Sequence, residues 1–299
     1  FSLSRLRNLW SFSQWMLLLS IGYYFNAQFD RFLVGRRSSA ATMGAYSLAD
    51  EISAMPSTEL LAPLGRVLFP AFVATRHDPA QLRKSYLLAL AVQTLVAIPA
   101  GVGLASVAEQ VVMVLLGEKW RIAIPFMQIL GMVYALGALS HAAGYLLVTM
   151  GRVRSLAIFI WIQNGLFLLL AGIILPTAAG ADIAMIRLVI GAIGLVLFLA
   201  MVLREVPELR IADLIDVAWR PVIAALVMAG VEHFLALPAA LPMAASLIIS
   251  IALGALAYAV TLLGLWYVAG RPSGAETYLL QTLKLGRLLR RSPDGSPIR

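Results

Sequence analysis

The sequence has no cysteine, few histidines and few charges, and each shortage excludes a class of protein. The lack of cysteine excludes a disulfide framework and any cysteine-ligated metal site. His77, His141 and His233 lie too far apart in the sequence to suggest a metal cluster, so we predict neither a metal nor a cofactor. Only 13% of residues are charged, whereas 61% are hydrophobic and the mean hydropathy is +0.88. Because a soluble domain of this length would rarely have such a composition, the sequence indicates a membrane protein.

Motifs of common enzymes are absent as well. The chain has no GxxxxGK[ST] loop, no GxSxG and no HExxH. The formal charge of +8 does not indicate a nucleic-acid partner, because that would need a basic face on a soluble domain. We therefore expect a membrane protein that is not an enzyme.

Eight mostly apolar stretches carry nearly all of the chain. Each is long enough to cross a hydrocarbon layer about 30 Å thick as a helix. They cover residues 9–35, 41–74, 84–105, 122–149, 154–176, 183–203, 217–236 and 243–269. The expected fold is an all-α integral membrane protein with about eight transmembrane helices.

The distribution of Lys and Arg predicts the orientation of these helices. If the chain starts in the cytoplasm, 16 of its 23 Lys and Arg residues fall in cytoplasmic segments and five fall in outer loops. Since cytoplasmic loops carry an excess of Lys and Arg, we expect both ends of this chain on the cytoplasmic side. The basic tail over 271–299 is expected to hold a Leu-rich helix that lies on anionic lipid.

Charged residues inside the second span are the first candidates for a functional site. A charge at the centre of a membrane costs roughly 2.5–3.5 kcal/mol on insertion scales, so such residues tend to face a bundle interior or a wet cavity. Besides Asp50 and Glu51, this span contains Glu59 and Arg66, which are two helical turns apart and share one face. Arg66 is available to an anionic ligand on one interpretation, and pairs with a neighbouring helix on the other.

Polar residues of other spans allow similar alternatives. Asp30 ends a polar stripe on the first span and lies either at the water interface or in a cavity where it binds a cation. Arg187 is one turn inside the sixth span and is expected to extend outward to the interface. His141 is expected to be a hydrogen-bonded interior residue. Gln163 and Asn164 are expected to bridge neighbouring helices, as amides do in lipid.

Several segments in order resemble one family of transporters. They are FDRFLVGRRSSAATMGAYSLADEISAMP, then LLAPLGRVLFPAF, HDPAQLRKSY, LLGEKWRIAIPFMQILG and the GR of MGRVRS. Matching positions are Asp30, Gly35, Gly44, Tyr46, Pro56, Pro63, Pro70, Gly117, Trp120 and Gly151. Over residues 20–155 this combination resembles the second half of bacterial polysaccharide and O-antigen flippases, in the multidrug/oligosaccharidyl-lipid/polysaccharide superfamily. Beyond residue 155 the likeness is one of hydropathy alone.

The resemblance implies a fold of two six-helix lobes around a central cavity, with two further helices at the C-terminus. On that template, residues 1–205 form a second-lobe-like bundle, 206–270 form the two additional helices, and 271–299 form a basic cytoplasmic tail. The first lobe is not in this sequence, which begins with Phe1, and we expect an upstream part of the polypeptide. Since parallel repeats place a binding site at their interface, both lobes are expected to be needed for transport.

The resemblance also implies a substrate, an undecaprenyl-diphosphate-linked oligosaccharide exported across the bacterial inner membrane for O-antigen, capsule or exopolysaccharide synthesis. The site residues, in contrast, follow from the intramembrane charges alone. Arg66, and more weakly Arg31, are the candidates for binding the diphosphate; Asp30 and Glu59 are the candidates for ion or proton coupling. Expected partners are the lipid bilayer, the lipid-linked oligosaccharide and other membrane proteins of polysaccharide assembly.

Three other functions can be weighed from the sequence, and the loops argue against the second of them. A multidrug-efflux transporter would share the architecture but should have a cavity richer in aromatic and acidic groups. A polymerase or ligase of glycan assembly would need a large outer loop with catalytic Arg or His, and the loops here are short. A non-transporting scaffold that binds glycan-synthesis proteins is the third.

Overall fold

A computed structural model describes residues 3–234 and 241–270, with side chains for all of these except 3–9, 11, 60, 62 and 63. Ten α-helices occur in this part: α1 (Leu3–Arg37), α2 (Ala40–Met55), α3 (Ala62–Thr75), α4 (Pro79–Ser106), α5 (Ala108–Val111), α6 (Ile124–Thr149), α7 (Val153–Phe167), α8 (Ala181–Glu205), α9 (Ile211–Phe234) and α10 (Met243–Val268). Short π-helical segments lie at Pro56–Leu61, Val112–Leu116 and Leu168–Ile174, and a 3₁₀ segment lies at Glu118–Ala123. The described residues contain no strand.

The helices coincide with the eight predicted spans. Within the described residues, six helical stretches are long and apolar enough to cross a membrane, or seven if the bent α2–α3 pair is one span. Helix α1 has 35 residues but is more polar and is not one of these. The prediction of an all-α membrane protein is confirmed, and about eight transmembrane helices is consistent with the structure.

The second span bends where the sequence places prolines. Pro56 begins a π-helical turn, and the axes on either side of this break, over Ala40–Glu59 and Leu64–Thr75, differ by 45°. Such turns free backbone carbonyls, which in lipid need partners from neighbouring helices or water. The turn rests on α6, where the Ser57 hydroxyl donates to the Tyr134 carbonyl at 3.3 Å.

Helix α6 lies at the centre of the bundle, in contact with α2, α3, α4 and α8. Its close approach to α4 depends on Gly101, where an added Cβ would lie 2.5 Å from the Ala135 Cβ and 2.7 Å from the Gly131 carbonyl oxygen. Small residues at such crossings let membrane helices approach closely. One buried apolar cluster surrounds Tyr46 and Phe126 toward one end of α6, and a second surrounds Leu146 and Leu147 toward the other.

The segment between α4 and α6 turns the chain at one end of the bundle. Helix α5 and the following π-helical turn end at Gly117, whose φ of 87° is a conformation that favours glycine.

The π-helical end of the α7 span is closed by a side chain of α1. The Arg37 guanidinium donates to the carbonyls of Ala171 and Gly172, so it satisfies acceptors that this end leaves free.

The last two described helices pack as a layer on the bundle, with α9 against α4 and α10 against α9. Helix α8 ends at Glu205 and α9 begins at Ile211, so the expected division near residue 205 falls in a short connection. The division into a lobe and two additional helices stays a prediction. The expected basic tail over 271–299 lies outside the described residues.

Candidate functional site

Four charged residues from three helices meet in one ion-pair cluster. It comprises Asp30 and Arg31 of α1, Asp50 of α2 and Arg187 of α8. Arg187 is ion-paired to Asp30, and its Nη1 lies 3.1 Å from Asp50 Oδ1. Arg31 binds Asp50 through its Nε at 2.8 Å and through Nη2. With two carboxylates and two guanidinium groups, the cluster has no net formal charge.

Two tyrosines complete the hydrogen bonds of the cluster. The Tyr46 hydroxyl donates to Asp30 Oδ2 at 2.6 Å, and the Tyr134 hydroxyl donates to Asp50 Oδ1 at 2.7 Å. Both aspartates are 1% exposed. Since a buried carboxylate needs charge and hydrogen-bond partners, these contacts explain how the helices carry two of them inside an apolar bundle. The cluster thereby joins α1, α2, α6 and α8.

The cluster corrects two expectations for single residues. Arg187 does not extend outward to the interface: its side chain is 15% exposed and lies between two carboxylates. Asp30 does not lie at the water interface, and the group that compensates its charge is Arg187. Asp30 and Arg187 are 157 positions apart, so neither could be paired by helical spacing. Arg31 keeps 35% of its side chain exposed and forms the accessible edge of the cluster.

Glu59 and Arg66 do not join the cluster. Both side chains are exposed, on either side of the break between α2 and α3. No hydrogen bond or ion pair joins either of them to another of the described side chains. The structure therefore divides the four candidate residues into two groups: Asp30 and Arg31 are ion-paired, whereas Glu59 and Arg66 have no charge partner among the described side chains.

Polar residues of α6 lie at the level of Arg66. The Tyr145 hydroxyl rests on Gly65, where an added Cβ would lie 2.2 Å from its oxygen. His141 lies one turn before Tyr145. The sequence predicts an interior position for this residue, but its side chain is exposed. Tyr145 is not among the site residues expected from the sequence, although its four-residue spacing from His141 indicates that the two share a face.

The amides of α7 bridge helices, as expected. Asn26 donates to Asn164 Oδ1 at 2.9 Å, and Asn164 donates to the Gly22 carbonyl at 2.8 Å. Gln163 donates to the Ile190 carbonyl at 3.4 Å. These bonds attach α7 to α1 on one side and to α8 on the other.

Among the residues described, no group of three or more His, Asp or Glu side chains could hold a metal ion.

Comparison with known proteins gives these features a context. Residues 1–125 match the model of a family described as polysaccharide biosynthesis protein. The predicted family resemblance is confirmed. The chain is also similar to the lipopolysaccharide biosynthesis protein WzxC of Escherichia coli (strain K12), at 33% identity over 153 residues, covering 51% of this chain and 31% of that protein.

Two further proteins are similar over more of the chain. The succinoglycan biosynthesis transport protein ExoT of Rhizobium meliloti (strain 1021) is 29% identical over 237 residues, which cover 79% of this chain and 47% of that protein. The chain thus spans about a third of the length of WzxC and about half of the length of ExoT. Among solved structures, the lipid II flippase MurJ in an inward closed conformation superposes with a TM-score of 0.66 at 14% identity, over 86% of this chain and 53% of that chain. This likeness shows the fold of a multi-pass membrane protein.

Proposed function

We propose that this chain forms the second lobe of a transporter that moves an undecaprenyl-diphosphate-linked oligosaccharide across the bacterial inner membrane by alternating access. The observation that carries the proposal is Arg66, which is exposed on α3 of a flippase-like fold, where it is the one charged residue of the helix and has no partner among the described side chains. An exposed guanidinium in such a helix is stable only where it faces water or an anion. The named roles of WzxC and ExoT in polysaccharide biosynthesis and transport agree with a glycan-bearing substrate.

Arg66 is the better of the two candidate cations for the diphosphate. Arg31 is already held by Asp50, so its charge is compensated before a substrate arrives. Arg66 has no partner among the described side chains, and its guanidinium can bind two phosphate oxygens at once. Arg31, at the accessible edge of the cluster, has a secondary role in this proposal.

Glu59 is the better of the two candidates for ion or proton coupling. Asp30 is bound by Arg187 and Tyr46, so a cation would have to displace an arginine from it. Glu59 is exposed and unpaired among the described side chains, two turns before Arg66 in sequence. A proton or cation on Glu59 would change the net charge near the diphosphate, and this change would couple the two ligands.

The membrane and the remaining protein complete this proposal. The polyprenyl chain stays in lipid while the diphosphate and glycan cross between the two lobes. Residues 1–205 form the lobe, α9 and α10 flank it, and both ends of the chain lie in the cytoplasm. Other membrane proteins of polysaccharide assembly supply the substrate and use the exported product.

The test compares Arg66→Ala with Arg76→Ala in the protein as it occurs in its host. Arg76 is exposed at the end of the same helix, where it donates to the neighbouring His77. We expect Arg66→Ala to lower surface polysaccharide at least tenfold and to leave lipid-linked oligosaccharide on the cytoplasmic leaflet, because an anion-binding charge is lost. Arg76→Ala should behave as wild type.

Three results would contradict the proposal. Normal surface polysaccharide in Arg66→Ala would refute the diphosphate role of this residue. Deletion of the gene separates the alternatives, because loss of a flippase leaves complete lipid-linked oligosaccharide inside. Loss of an enzyme or a scaffold would instead leave incomplete or unligated glycan, and unchanged polysaccharide would exclude a role in glycan export.

A further inference from the structure

The exposed face of α6 has an unusual composition for a membrane helix. Between Ile129 and Thr149, the exposed residues of this helix are Gly137, His141 and Tyr145, spaced four apart so that they form one stripe. The remaining positions of this stretch are buried or half-buried. Two of the three exposed residues therefore carry hydrogen-bonding rings.

Helix α8 provides an internal comparison. Its exposed residues include Met185, Val189, Ile193 and Val196, which also lie at helical spacing. An aliphatic stripe of this kind suits lipid, because it exposes no polar side-chain group to hydrocarbon. An imidazole and a phenol facing hydrocarbon would each leave donors and acceptors unsatisfied. The α6 stripe is therefore suited to a polar occupant and not to acyl chains.

Contacts to other helices place this stripe beside the unmatched charge. The Tyr145 hydroxyl lies on Gly65, the residue that directly precedes Arg66. The Tyr145 ring thus lies at the level of the cation on α3, and part of its surface is not covered by any described residue.

We propose that Tyr145 and His141 bind the sugar part of the lipid-linked oligosaccharide while Arg66 holds its diphosphate. This proposal rests on the function proposed above and names the residues that recognise the glycan. A sugar ring has an apolar face of C–H groups and a rim of hydroxyls. A phenol ring can cover the first and hydrogen-bond the second, and an imidazole can both donate and accept.

The length of the stripe fits a chain of sugars. Gly137 and Tyr145 are eight residues apart, which corresponds to about 12 Å along the helix at 1.5 Å per residue. Gly137 has nothing within 4 Å of the position of a Cβ, so that end of the stripe is open. The glycan would thus extend from the diphosphate at Arg66 along α6 toward Gly137.

Two lipid probes separate sugar recognition from diphosphate binding. The protein is purified from its host into lipid nanodiscs and titrated with undecaprenyl diphosphate, and in parallel with the same lipid carrying the oligosaccharide repeat unit of the host. We expect Tyr145→Ala and His141→Ala each to weaken binding of the glycan-bearing lipid about tenfold, the size of a lost stacking or hydrogen-bonding side chain. Binding of the sugar-free lipid should not change, whereas Arg66→Ala should weaken both.

Two glycine variants test the position of the Tyr145 ring without removing it. A Cβ at Gly65 would meet Tyr145 at 2.2–2.9 Å, so Gly65→Ala forces the ring to move and should reproduce the selective loss. Gly144→Ala is the matched control, because a Cβ there has nothing within 4 Å. It should bind both lipids as wild type does.

Several outcomes would overturn the inference. If Tyr145→Ala and His141→Ala leave the glycan-bearing lipid unaffected, the stripe does not bind sugar. If they weaken both lipids equally, the stripe supports the structure or is covered by another protein helix. Failure of the proposed function gives a different pattern, in which the wild-type protein binds neither lipid or Arg66→Ala binds both normally.

Discussion

Removal of the Arg187 guanidinium should destabilise the lobe strongly, because it leaves a buried aspartate without a cation. In Arg187→Gln, Asp50 would keep Arg31 and Tyr134, but Asp30 would keep only the Tyr46 hydroxyl. Breaking a buried pair by removing one partner typically costs about 3–5 kcal/mol. We expect a loss in this range, at the upper end because Asp30 Oδ1 is already buried without a hydrogen-bond partner among the described residues.

A second substitution should recover most of this loss. Asp30→Asn combined with Arg187→Gln replaces the buried ion pair by two amides, so no uncompensated charge remains. The cost that remains in the double variant is the loss of the contact between Arg187 and Asp50 at 3.1 Å, which is worth about 1–2 kcal/mol. The double-mutant cycle should therefore give a coupling energy of roughly 2–4 kcal/mol in favour of the pair.

The assay is equilibrium unfolding of the purified protein in mixed micelles, followed by circular dichroism for wild type, both single variants and the double variant. If Arg187→Gln costs less than about 1 kcal/mol, Asp30 is not a buried carboxylate that depends on this cation. If the two single effects simply add, the groups do not interact, and the cluster as described would be wrong.

Three smaller predictions concern packing and orientation. Gly101→Ala should cost about 1–3 kcal/mol, since its Cβ would collide with backbone of α6, whereas Gly165→Ala has open space and should be neutral in the same unfolding assay. Asn164→Ala should cost about 0.6–1.7 kcal/mol, the range for interhelical hydrogen bonds in membranes, and an unchanged unfolding curve would contradict the amide bridge. This chain has no cysteine, so cysteines introduced into it report its orientation once any cysteine elsewhere in the polypeptide is replaced. Lys119→Cys should react with an impermeant thiol reagent added to spheroplasts and Arg76→Cys should not, and the reverse pattern would invert the proposed orientation.

The positions of the helices could be predicted from the sequence because lipid imposes a simple rule. A segment that crosses a membrane must be apolar over about 20 residues, and this property is visible in a single sequence. Predicted limits such as 183–203 and 243–269 differ by a few residues from α8 (Ala181–Glu205) and α10 (Met243–Val268). The break in the second span could also be predicted, since Pro56 cannot donate the hydrogen bond that a regular helix requires.

The partners of the charges could not be predicted in this way. From its own helix alone, each of Asp30 and Arg187 is a residue near the end of a span that could reach water. Their pairing depends on how α1 and α8 approach each other in space, and spacing along one helix carries no information about that approach. The same limit applied to Tyr145, because its significance depends on a glycine 80 positions earlier.

The ion-paired residues and Arg66 should differ in which assay their substitution affects most: unfolding for the ion-paired residues, and export for Arg66. Arg187 and Asp30 compensate each other inside the bundle, so their substitution acts on folding, and a balanced double change should restore transport along with the folded protein. Arg66 has no described partner to lose, so its substitution should leave unfolding nearly unchanged while it removes export per folded molecule. If Arg66→Ala instead destabilised the protein as strongly as Arg187→Gln, its charge would be matched within the assembled transporter. In that case, Arg66 would belong to the structure of the lobe and would not be free to bind a diphosphate.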